Sequence, residues 1–256
     1  MANISSVNGS GDLYGQIASG NRINSAKDDA SGLVISENMK EQENGLNVGS
    51  QNAKQGIDAL NIADGALGQI TDNLQRIHEL SVKASNSFMY GPGELKAMQQ
   101  EIDGLMKGIE DIAKGTEYNT LKLLDGSMAD MDLATNPDGS GSKIQMANGT
   151  LEALGIDGYD VTGKFDINRI TNAIDKVNES RSRIGAQTNA LEYTINRNDF
   201  TAENTMSARS QLADLDIPKA ISEQKKNQVL NDYQVMMQRQ QMKDEEEKAR
   251  GIFQFQ

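Results

Sequence analysis

The sequence predicts a mainly α-helical fold, an elongated antiparallel helical bundle or coiled-coil rod that carries a small β-hairpin region. Three observations lead to this prediction. Apolar residues recur every seven positions over long stretches, as they do in coiled coils. Only three prolines interrupt the 256 residues, so helices can run unbroken. Aromatic residues make up 4% of the chain and Trp is absent, which favours a thin core over a wide one.

The first long helix is predicted over about residues 31–85. At 1.5 Å per residue it would be roughly 80 Å long, which is why the molecule is expected to be a rod. Two seams with seven-residue spacing line this helix, one formed by Leu46, Ala53, Leu60, Leu67 and Leu74 and the other by Gly49, Gly56, Ala63, Ile70, Ile77 and Ala84. Because Gly49, Gly56 and Ala63 are small and the two glycines weaken a helix, we expect all three to let another helix approach closely.

The remaining elements follow from turn residues and further stripes. Turn formers at 86–93 end the first helix and a second stripe starts at once, so these two helices are expected to be antiparallel. Residues 116–163 carry Asn-Gly and Asp-Gly pairs, which predict one or two small hairpins. A third stripe runs from near Phe165, and another amphipathic segment follows Pro218. The predicted packing positions on these helices are Leu60, Leu67, Leu74, Ile102, Ile109, Ile184 and Leu191.

Both ends of the chain are predicted to be poorly ordered in an isolated molecule. Residues 1–20 mix Gly, Ser and Asn with isolated apolar residues and make a poor helix on propensity. Residues 243–256 combine an acidic run with a short tail, and we expect them to fray. Because thin amphipathic ends gain stability by packing against other copies or other proteins, this pattern indicates assembly.

Charge and composition exclude several classes of partner. The chain has 25 Lys and Arg against 37 Asp and Glu, a net charge of −12 that would repel nucleic acid and anionic lipid alike. No apolar run is long enough to span a membrane, and the first residues lack the pattern of a cleaved signal peptide. The absence of Cys excludes disulfides, thiolate nucleophiles and cysteine-ligated metals.

The search for chemistry finds no catalytic, metal or cofactor site, so the chain is not expected to be an enzyme. His78 and Glu79 begin a zinc-protease pattern, but Val82 stands where the second His is needed. Acidic clusters at Asp28-Asp29, Glu110-Asp111 and 244–247 could in principle bind a hard cation, but they are interpreted as solvated charge. The Met-rich run at 236–242 is either an adaptable binding face or a helix stripe that awaits a partner, and the sequence leaves both open.

Several ordered motifs resemble one family. Residues 19–39 (SGNRINSAKDDASGLVISENM) strongly resemble the N-terminal region of bacterial flagellins. The resemblance covers about residues 19–222, and its further motifs lie at 51–57, 64–67, 74–86, 117–126, 173–175, 181–191 and 202–204. It implies a rod-like helical core and a structural subunit of the flagellar filament, without a cofactor, that polymerises with itself or with other flagellins. It also implies an extracellular location reached through the flagellar type III apparatus without a cleaved signal, and a secretion chaperone on the segment after Pro218.

The resemblance further implies a division of the chain. Residues 1–30 would be a shortened N-terminal part of the inner, filament-core domain; residues 31–215 the helical rod, including the hairpin region 116–163; and residues 216–256 the C-terminal inner segment and tail. Both ends depart from the family, because the first segment is short and Gly/Ser-rich and the last is acidic.

Four other roles were compared with the sequence as alternatives to a filament subunit. A flagellin-like paralogue and the hook–filament junction protein, neither of which builds filament by itself, both remain open. A flagellin with an enzymatic cargo domain does not fit, since only about forty residues separate the hairpin from the third helix. A soluble coiled-coil protein without a filament role is the fourth.

A final implication of the resemblance concerns immune recognition. Family members bound by the flagellin-sensing Toll-like receptor use an Arg, a Leu and a Glu in motifs that Arg76, Leu80 and Glu101 match here. Arg76 and Leu80 are one helical turn apart, so they could share a face and combine a charged anchor with an apolar one. A role in packing between subunits is the plainer alternative. His78 replaces the family's usual Arg, which is expected to weaken binding.

Overall fold

The structure is a computed structural model that describes residues 13–86 and 88–253. In chain order its elements are α1 (the helical residues 13–19), α2 (Ala26–Ala84), α3 (Pro92–Gly115), β1 (Glu117–Tyr118), β2 (Leu121–Lys122), β3 (Asp130–Ala134), β4 (Gly141–Gln145), α4 (Leu151–Leu154), α5 (Asn168–Ala213) and α6 (Ile217–Phe253). The predicted mainly helical fold with a small hairpin region is confirmed.

The chain divides into two compact units. One comprises residues 42–203, and the other comprises residues 1–41 together with 204–256. The two boundaries fall inside continuous helices, α2 and α5. The division predicted at residues 30 and 215 stays a prediction.

The long helix α2 changes direction near its start, at Asp29. The backbone of Asp29 is extended (φ −161°, ψ 100°) although its neighbours are helical. Its Oδ1 atom accepts the N–H of Gly32 at 2.8 Å, as an N-cap side chain does. The adjacent Asp28 carboxylate accepts the N–H groups of Asn24 and Ser25, which lowers its pKa. The uninterrupted helix therefore begins after Asp29, close to the start predicted near residue 31.

In the unit of residues 42–203, α2 runs antiparallel to α5. Ser50 Oγ donates to Asp199 Oδ1 at 2.7 Å, whereas further along α2 the Asp64 carboxylate binds Arg181 through two contacts of 2.8 and 3.1 Å. Positions that rise along α2 thus pair with positions that fall along α5. The Asp64 carboxylate raises the pKa of the Arg181 guanidinium, because the ion pair favours its charged form.

Helix α3 packs on the same part of α2, also antiparallel. Arg76 of α2 binds Glu101 of α3, and Asn73 lies against Gly108 two turns further along α3. The predicted antiparallel pair is thereby confirmed. All seven predicted packing positions are at most 4% exposed and belong to one continuous apolar core between these three helices: Leu60, Leu67, Leu74, Ile102, Ile109, Ile184 and Leu191.

Two antiparallel hairpins lie between α3 and α5, as the turn residues predicted. The first joins β1 and β2 through Asn119 and Thr120, whose φ angles of 48° and 67° suit a tight hairpin turn. The second pairs Asp130–Ala134 with Gly141–Gln145. The four-residue helix α4 was not predicted, since one turn leaves no periodic signal.

The second hairpin fills the space beside the small residues of α2. A Cβ atom at Gly49 would lie 2.3 Å from the Thr135 carbonyl oxygen, and one at Gly56 would lie 2.3 Å from Leu133 Cδ1. Hairpin backbone at Thr135 lies closest to Gly49, and Asn198 of α5 contributes its Nδ2 atom at 3.2 Å from the same Cβ position. At Gly56 the hairpin likewise shares the space with Leu191 of α5, so the expected approach of a helix is accompanied by a hairpin that was not expected there.

Both chain ends that the sequence predicts to be poorly ordered belong to the unit formed by residues 1–41 and 204–256. Residues 13–19 are helical despite their poor propensity, and residues 1–12 lie outside the described residues. Helix α6 continues to Phe253, so the fraying predicted from residue 243 was wrong up to that point, and residues 254–256 lie outside the described range. Glu, Lys, Arg, Gln and Met all favour helix, which explains why α6 persists.

Candidate functional surfaces

Within residues 13–86 and 88–253, no three His, Asp or Glu side chains are grouped so that they could hold a metal ion. Across the same ranges, no helix combines the length and the apolar character that a membrane crossing needs. Two surfaces and one pairing of linkers stand out among the described residues.

The first surface is an apolar stripe on α6, formed by Val229, Leu230, Tyr233, Met236 and Met237 and called the α6 stripe from here on. Steps of three and four residues connect its members, which places them along one face of the helix. Their exposed fractions lie between 42% and 67%. A contiguous apolar face of this kind on a soluble protein marks an interaction site. Met236 and Met237 of the Met-rich run belong to this exposed stripe.

The other side of α6 is lined with amide side chains. Gln224, Asn227, Gln228 and Asn231 border a cavity of about 250 Å³ together with Leu13 and Tyr14 of α1. Both helices belong to the same unit. Helix α1 therefore lies over the amide face, and none of the described residues covers the α6 stripe.

The linkers that precede α2 and α6 pair with each other. Arg22 N–H donates to the Ala213 carbonyl at 2.7 Å, and Leu215 N–H donates to the Gly20 carbonyl at 2.9 Å. The Arg22 guanidinium adds a bond to the carbonyl of Leu212, 190 residues away in sequence. This linker ladder sets the positions at which α2 and α6 begin. Sequence reasoning missed it, since backbone pairing between two short linkers leaves no periodic signal.

The second surface is an ion-pair cluster on α2 and α3, formed by Arg76, Glu79 and Glu101. Arg76 Nε donates to Glu101 Oε1 at 2.7 Å, and Nη1 donates to Glu79 Oε2 at 3.0 Å. All three side chains are exposed. The bonds to Glu101 and then Glu79 raise the pKa of the Arg76 guanidinium. The structure therefore brings two of the three predicted receptor residues into direct contact.

The third predicted receptor residue, Leu80, does not share that surface. Its side chain is only 3% exposed and belongs to the apolar core, on the same helix face as Ile77 and Ala84. The expectation that Leu80 presents an apolar anchor beside Arg76 was wrong. The seams indicate the reason, because Leu80 lies three residues after one core position and four before another.

The side chain of Glu110 on α3 holds the start of α4 through a hydrogen bond. Glu110 Oε2 accepts the N–H of Leu151, the first residue of α4, at 3.1 Å, while its Oε1 binds Lys114 at 2.8 Å. The bond from Lys114, followed by the Leu151 N–H, lowers the pKa of the Glu110 carboxyl. Glu110 was interpreted from sequence as solvated charge, and its backbone partner lies 41 residues away.

Two parts of the chain match known protein families. Residues 4–129 match the family described as the bacterial flagellin N-terminal helical region, and residues 167–245 match the bacterial flagellin C-terminal helical region. A flagellin of Bacillus subtilis is 34% identical over 255 residues, which covers 84% of each chain. The flagellar filament 31.3 kDa core protein of Treponema maltophilum is 33% identical over 236 residues, covering 84% of this chain and 82% of the relative.

A solved structure supports the fold alone. The crystal structure of a Bacillus cereus flagellin aligns with a TM-score of 0.51 at 22% identity, covering 58% of this chain and 88% of the other. The two family matches flank the segment that holds the second hairpin and α4.

Proposed function

This chain belongs to the bacterial flagellin family, and on that premise we propose that it is a structural subunit of a flagellar filament that self-assembles through coiled-coil packing of its helices. The observation that carries the proposal is the α6 stripe, an apolar helix face that is exposed in the isolated chain. Burying this face against other subunits would remove apolar surface from water and stabilise the assembly. The role is structural, without a cofactor, and its site is extracellular.

Two alternatives remain within the family. A flagellin-like paralogue or a hook–filament junction protein would share the terminal helices without building filament by itself. The acidic residues 244–247 favour such a departure. The names of the two relatives favour the filament, since one is a flagellin and the other a filament core protein.

Electron microscopy of the purified full chain, alone and with short seeds of a standard flagellin, separates these alternatives. Long filaments in either sample support the proposal, and growth that needs the seed indicates a mixed polymer. Persistent single subunits in both samples would support the paralogue or junction protein instead.

A pair of variants tests whether the α6 stripe carries assembly. Tyr233→Lys places a charge inside the stripe and is expected to abolish polymerisation, because a buried unpaired charge is costly. Gln238→Lys adds the same charge to the same region of α6 but outside the stripe, and is expected to polymerise. Sedimentation of polymer measures both. Equal polymerisation of the two variants would remove the stripe from the assembly surface.

We further propose that the isolated chain is bound by the flagellin-sensing Toll-like receptor through the ion-pair cluster. Arg76 and Glu101 supply exposed charges that a partner can reach. Leu80 is assigned an indirect part, because it holds α2 on the core below the cluster. Signalling is expected to be weaker than binding suggests, since in the family full signalling also needs the terminal domain that is altered here.

A receptor-binding assay and a reporter-cell assay test this second proposal. Arg76→Glu reverses the central charge and is expected to abolish binding, whereas Lys107→Glu, an exposed reversal on α3, is expected to bind as the unchanged chain does. Unaltered binding by the Arg76 variant would exclude the cluster. Signalling as strong as that of a standard flagellin at equal binding would contradict the expected weak response.

Export is proposed to follow the family's route. The chain would leave the cell through the flagellar type III apparatus, with a secretion chaperone covering the segment after Pro218 beforehand. The exposed α6 stripe supports this, because an uncovered apolar helix face favours premature association. Calorimetric titration of the purified chaperone is expected to give binding with the full chain, and none with a chain that ends at residue 216.

The division of the chain into 1–30, 31–215 and 216–256 is also a proposal. It is supported by the grouping of both chain ends into one unit, apart from residues 42–203. Limited proteolysis followed by mass spectrometry is expected to leave a resistant core that spans most of residues 31–215. Early cleavage inside residues 42–203 would contradict this division.

A further inference from the structure

The α6 stripe ends in two adjacent methionines whose side chains are exposed. Met236 is 67% exposed and Met237 is 42% exposed, whereas Met106 and Met146 are both 8% exposed. The chain has 12 Met and no Cys, so the thioether is its only sulfur group. Oxidation of a thioether depends on how far an oxidant can reach the sulfur, which makes exposed methionines the reactive ones.

The position of these methionines gives their oxidation a consequence. Met236 follows Val229 by seven residues and Met237 follows Leu230 by seven, so each repeats a position one heptad further along the same face. A sulfoxide converts the flexible apolar side chain into a polar one. Two adjacent sulfoxides would therefore interrupt the apolar face that the filament role requires to be buried.

We propose that Met236 and Met237 are modification sites at which hydroperoxides inactivate the unassembled subunit, and that assembly shields them. The inference rests on the proposed filament function, in which the α6 stripe becomes buried. All five stripe residues are exposed in the part of the chain that the structure describes, because α1 lies over the opposite, amide face of α6.

The reaction needs only the oxidant. A sulfur lone pair attacks one oxygen of the hydroperoxide; the S–O bond forms while the O–O bond breaks. The sulfur is oxidised by two electrons and the hydroperoxide is reduced to an alcohol, or to water when the oxidant is hydrogen peroxide. The proton on the oxygen that the sulfur attacks passes to the departing oxygen. The two methionine sulfoxide reductases, one for each epimer, restore the thioether: an added dithiol supplies two electrons and becomes a disulfide, and the sulfoxide oxygen leaves as water.

The test exposes the full chain to hydrogen peroxide in two states, as isolated subunits and after polymerisation. Mass spectrometry of peptides follows the gain of one oxygen atom at each methionine. In isolated subunits, Met236 and Met237 are expected to react at least about tenfold faster than Met106 and Met146 because of their exposure. Polymerisation is expected to slow the first pair by a similar factor. Equal rates for the two pairs, or no slowing in the polymer, would overturn the proposal.

Assembly is then measured as the ratio of the critical concentration after oxidation to that before it. The unchanged chain is expected to show a rise of roughly tenfold, and treatment with both reductases should reverse it. The double variant Met236→Leu with Met237→Leu, compared with its own untreated sample, is expected to show a ratio near one. The matched control, Met89→Leu with Met206→Leu, removes two other exposed sulfurs and should keep the full rise.

The arms separate this proposal from the filament function itself. An untreated chain that does not polymerise, even with a flagellin seed, contradicts the filament function and with it the effect on assembly. If the unchanged chain polymerises, and oxidation impairs its assembly and that of the Met236 and Met237 double variant equally, only the proposed modification site is overturned. The modification site would also be overturned if the two reductases did not restore the critical concentration of the oxidised, unchanged chain.

Discussion

At the scale of single residues, hydrogen bonds to ionised groups decide how α3 and α4 are joined. Glu110 accepts from Lys114 and from the Leu151 N–H, and both lower its pKa, Lys114 more. A carboxyl whose pKa is lowered by folding contributes stability above its unfolded pKa, about 4.3 for Glu. That contribution is lost as the pH falls through the lower, folded pKa.

The variant Glu110→Gln tests this contribution. At neutral pH it is expected to lower the free energy of unfolding by about 1 kcal/mol, a modest value because the carboxylate is partly screened by solvent. The difference from the unchanged chain should shrink as the pH falls below about 4. Urea denaturation at several pH values measures this, with Asp58→Asn as a control at an exposed site. A difference that stays constant with pH would contradict the assigned ion pair.

Leu80 supplies the second prediction at this scale. Truncation of a buried Leu leaves a cavity, so Leu80→Ala is expected to lower the free energy of unfolding by about 3 kcal/mol. Val82→Ala, two residues away and half exposed, should change it by less than about 0.5 kcal/mol. Denaturant titrations of both variants measure the effects. Unchanged stability in the Leu80 variant would contradict its role in the core and would favour a place for its side chain on the receptor surface.

The residues at the candidate site were predictable to different degrees. Arg76 and Glu101 could be singled out only by resemblance, because an ion pair between residues 25 positions apart depends on how α2 and α3 pack. The burial of Leu80 was available from the heptad seams. Exposure at Met236 and Met237 was not, since the same stripe could have been covered by another part of the chain.

At the scale of elements, periodicity predicted the long helices because each buries a continuous apolar seam. It did not predict what lies against the small residues of α2. The sequence shows that space exists at Gly49, but only the paired strands show that the turn of the second hairpin fills it. At the end of α6 a helix forms without a buried apolar seam, because the intrinsic helix propensity of its residues is sufficient.

Two glycines on α2 make this element-scale argument testable. A Cβ at Gly49 would meet the Thr135 carbonyl at 2.3 Å, so Gly49→Ala must displace hairpin backbone and is expected to lower the free energy of unfolding by about 2 kcal/mol. A Cβ at Gly65 meets nothing within 4 Å, so Gly65→Ala should raise it by about 0.8 kcal/mol through helix propensity. Thermal and urea unfolding measure both variants. Stabilisation by both would show that the hairpin yields freely.

At the scale of the whole molecule, the grouping of residues into units was the feature least available from the sequence. Unit boundaries at residues 41 and 203 fall inside α2 and α5, where the helical pattern continues without a change in composition. The linker ladder joins segments on either side of most of the chain. Such long-range pairing is settled by folding, while periodicity and propensity describe neighbours along the chain.

Net charge makes a prediction about the assembled molecule. Each chain carries a net charge of −12, so like charges repel when subunits approach and oppose the burial of the α6 stripe. Salt shortens the range of this repulsion from about 30 Å at 0.01 M to about 8 Å at 0.15 M. The critical concentration for polymerisation is therefore expected to fall as sodium chloride is raised across this range, as measured by sedimentation.

The acidic end of α6 provides the matched variant for that experiment. Asp244, Glu245 and Glu246 are exposed on the same helix as the stripe, and their change to Asn, Gln and Gln removes negative charge where subunits would meet. This triple variant is expected to polymerise at a lower concentration than the unchanged chain at 0.01 M salt and to depend less on salt. A critical concentration that rises with salt in the unchanged chain would mean that attractive ion pairs between subunits outweigh the repulsion, and the charge of this segment would then favour assembly.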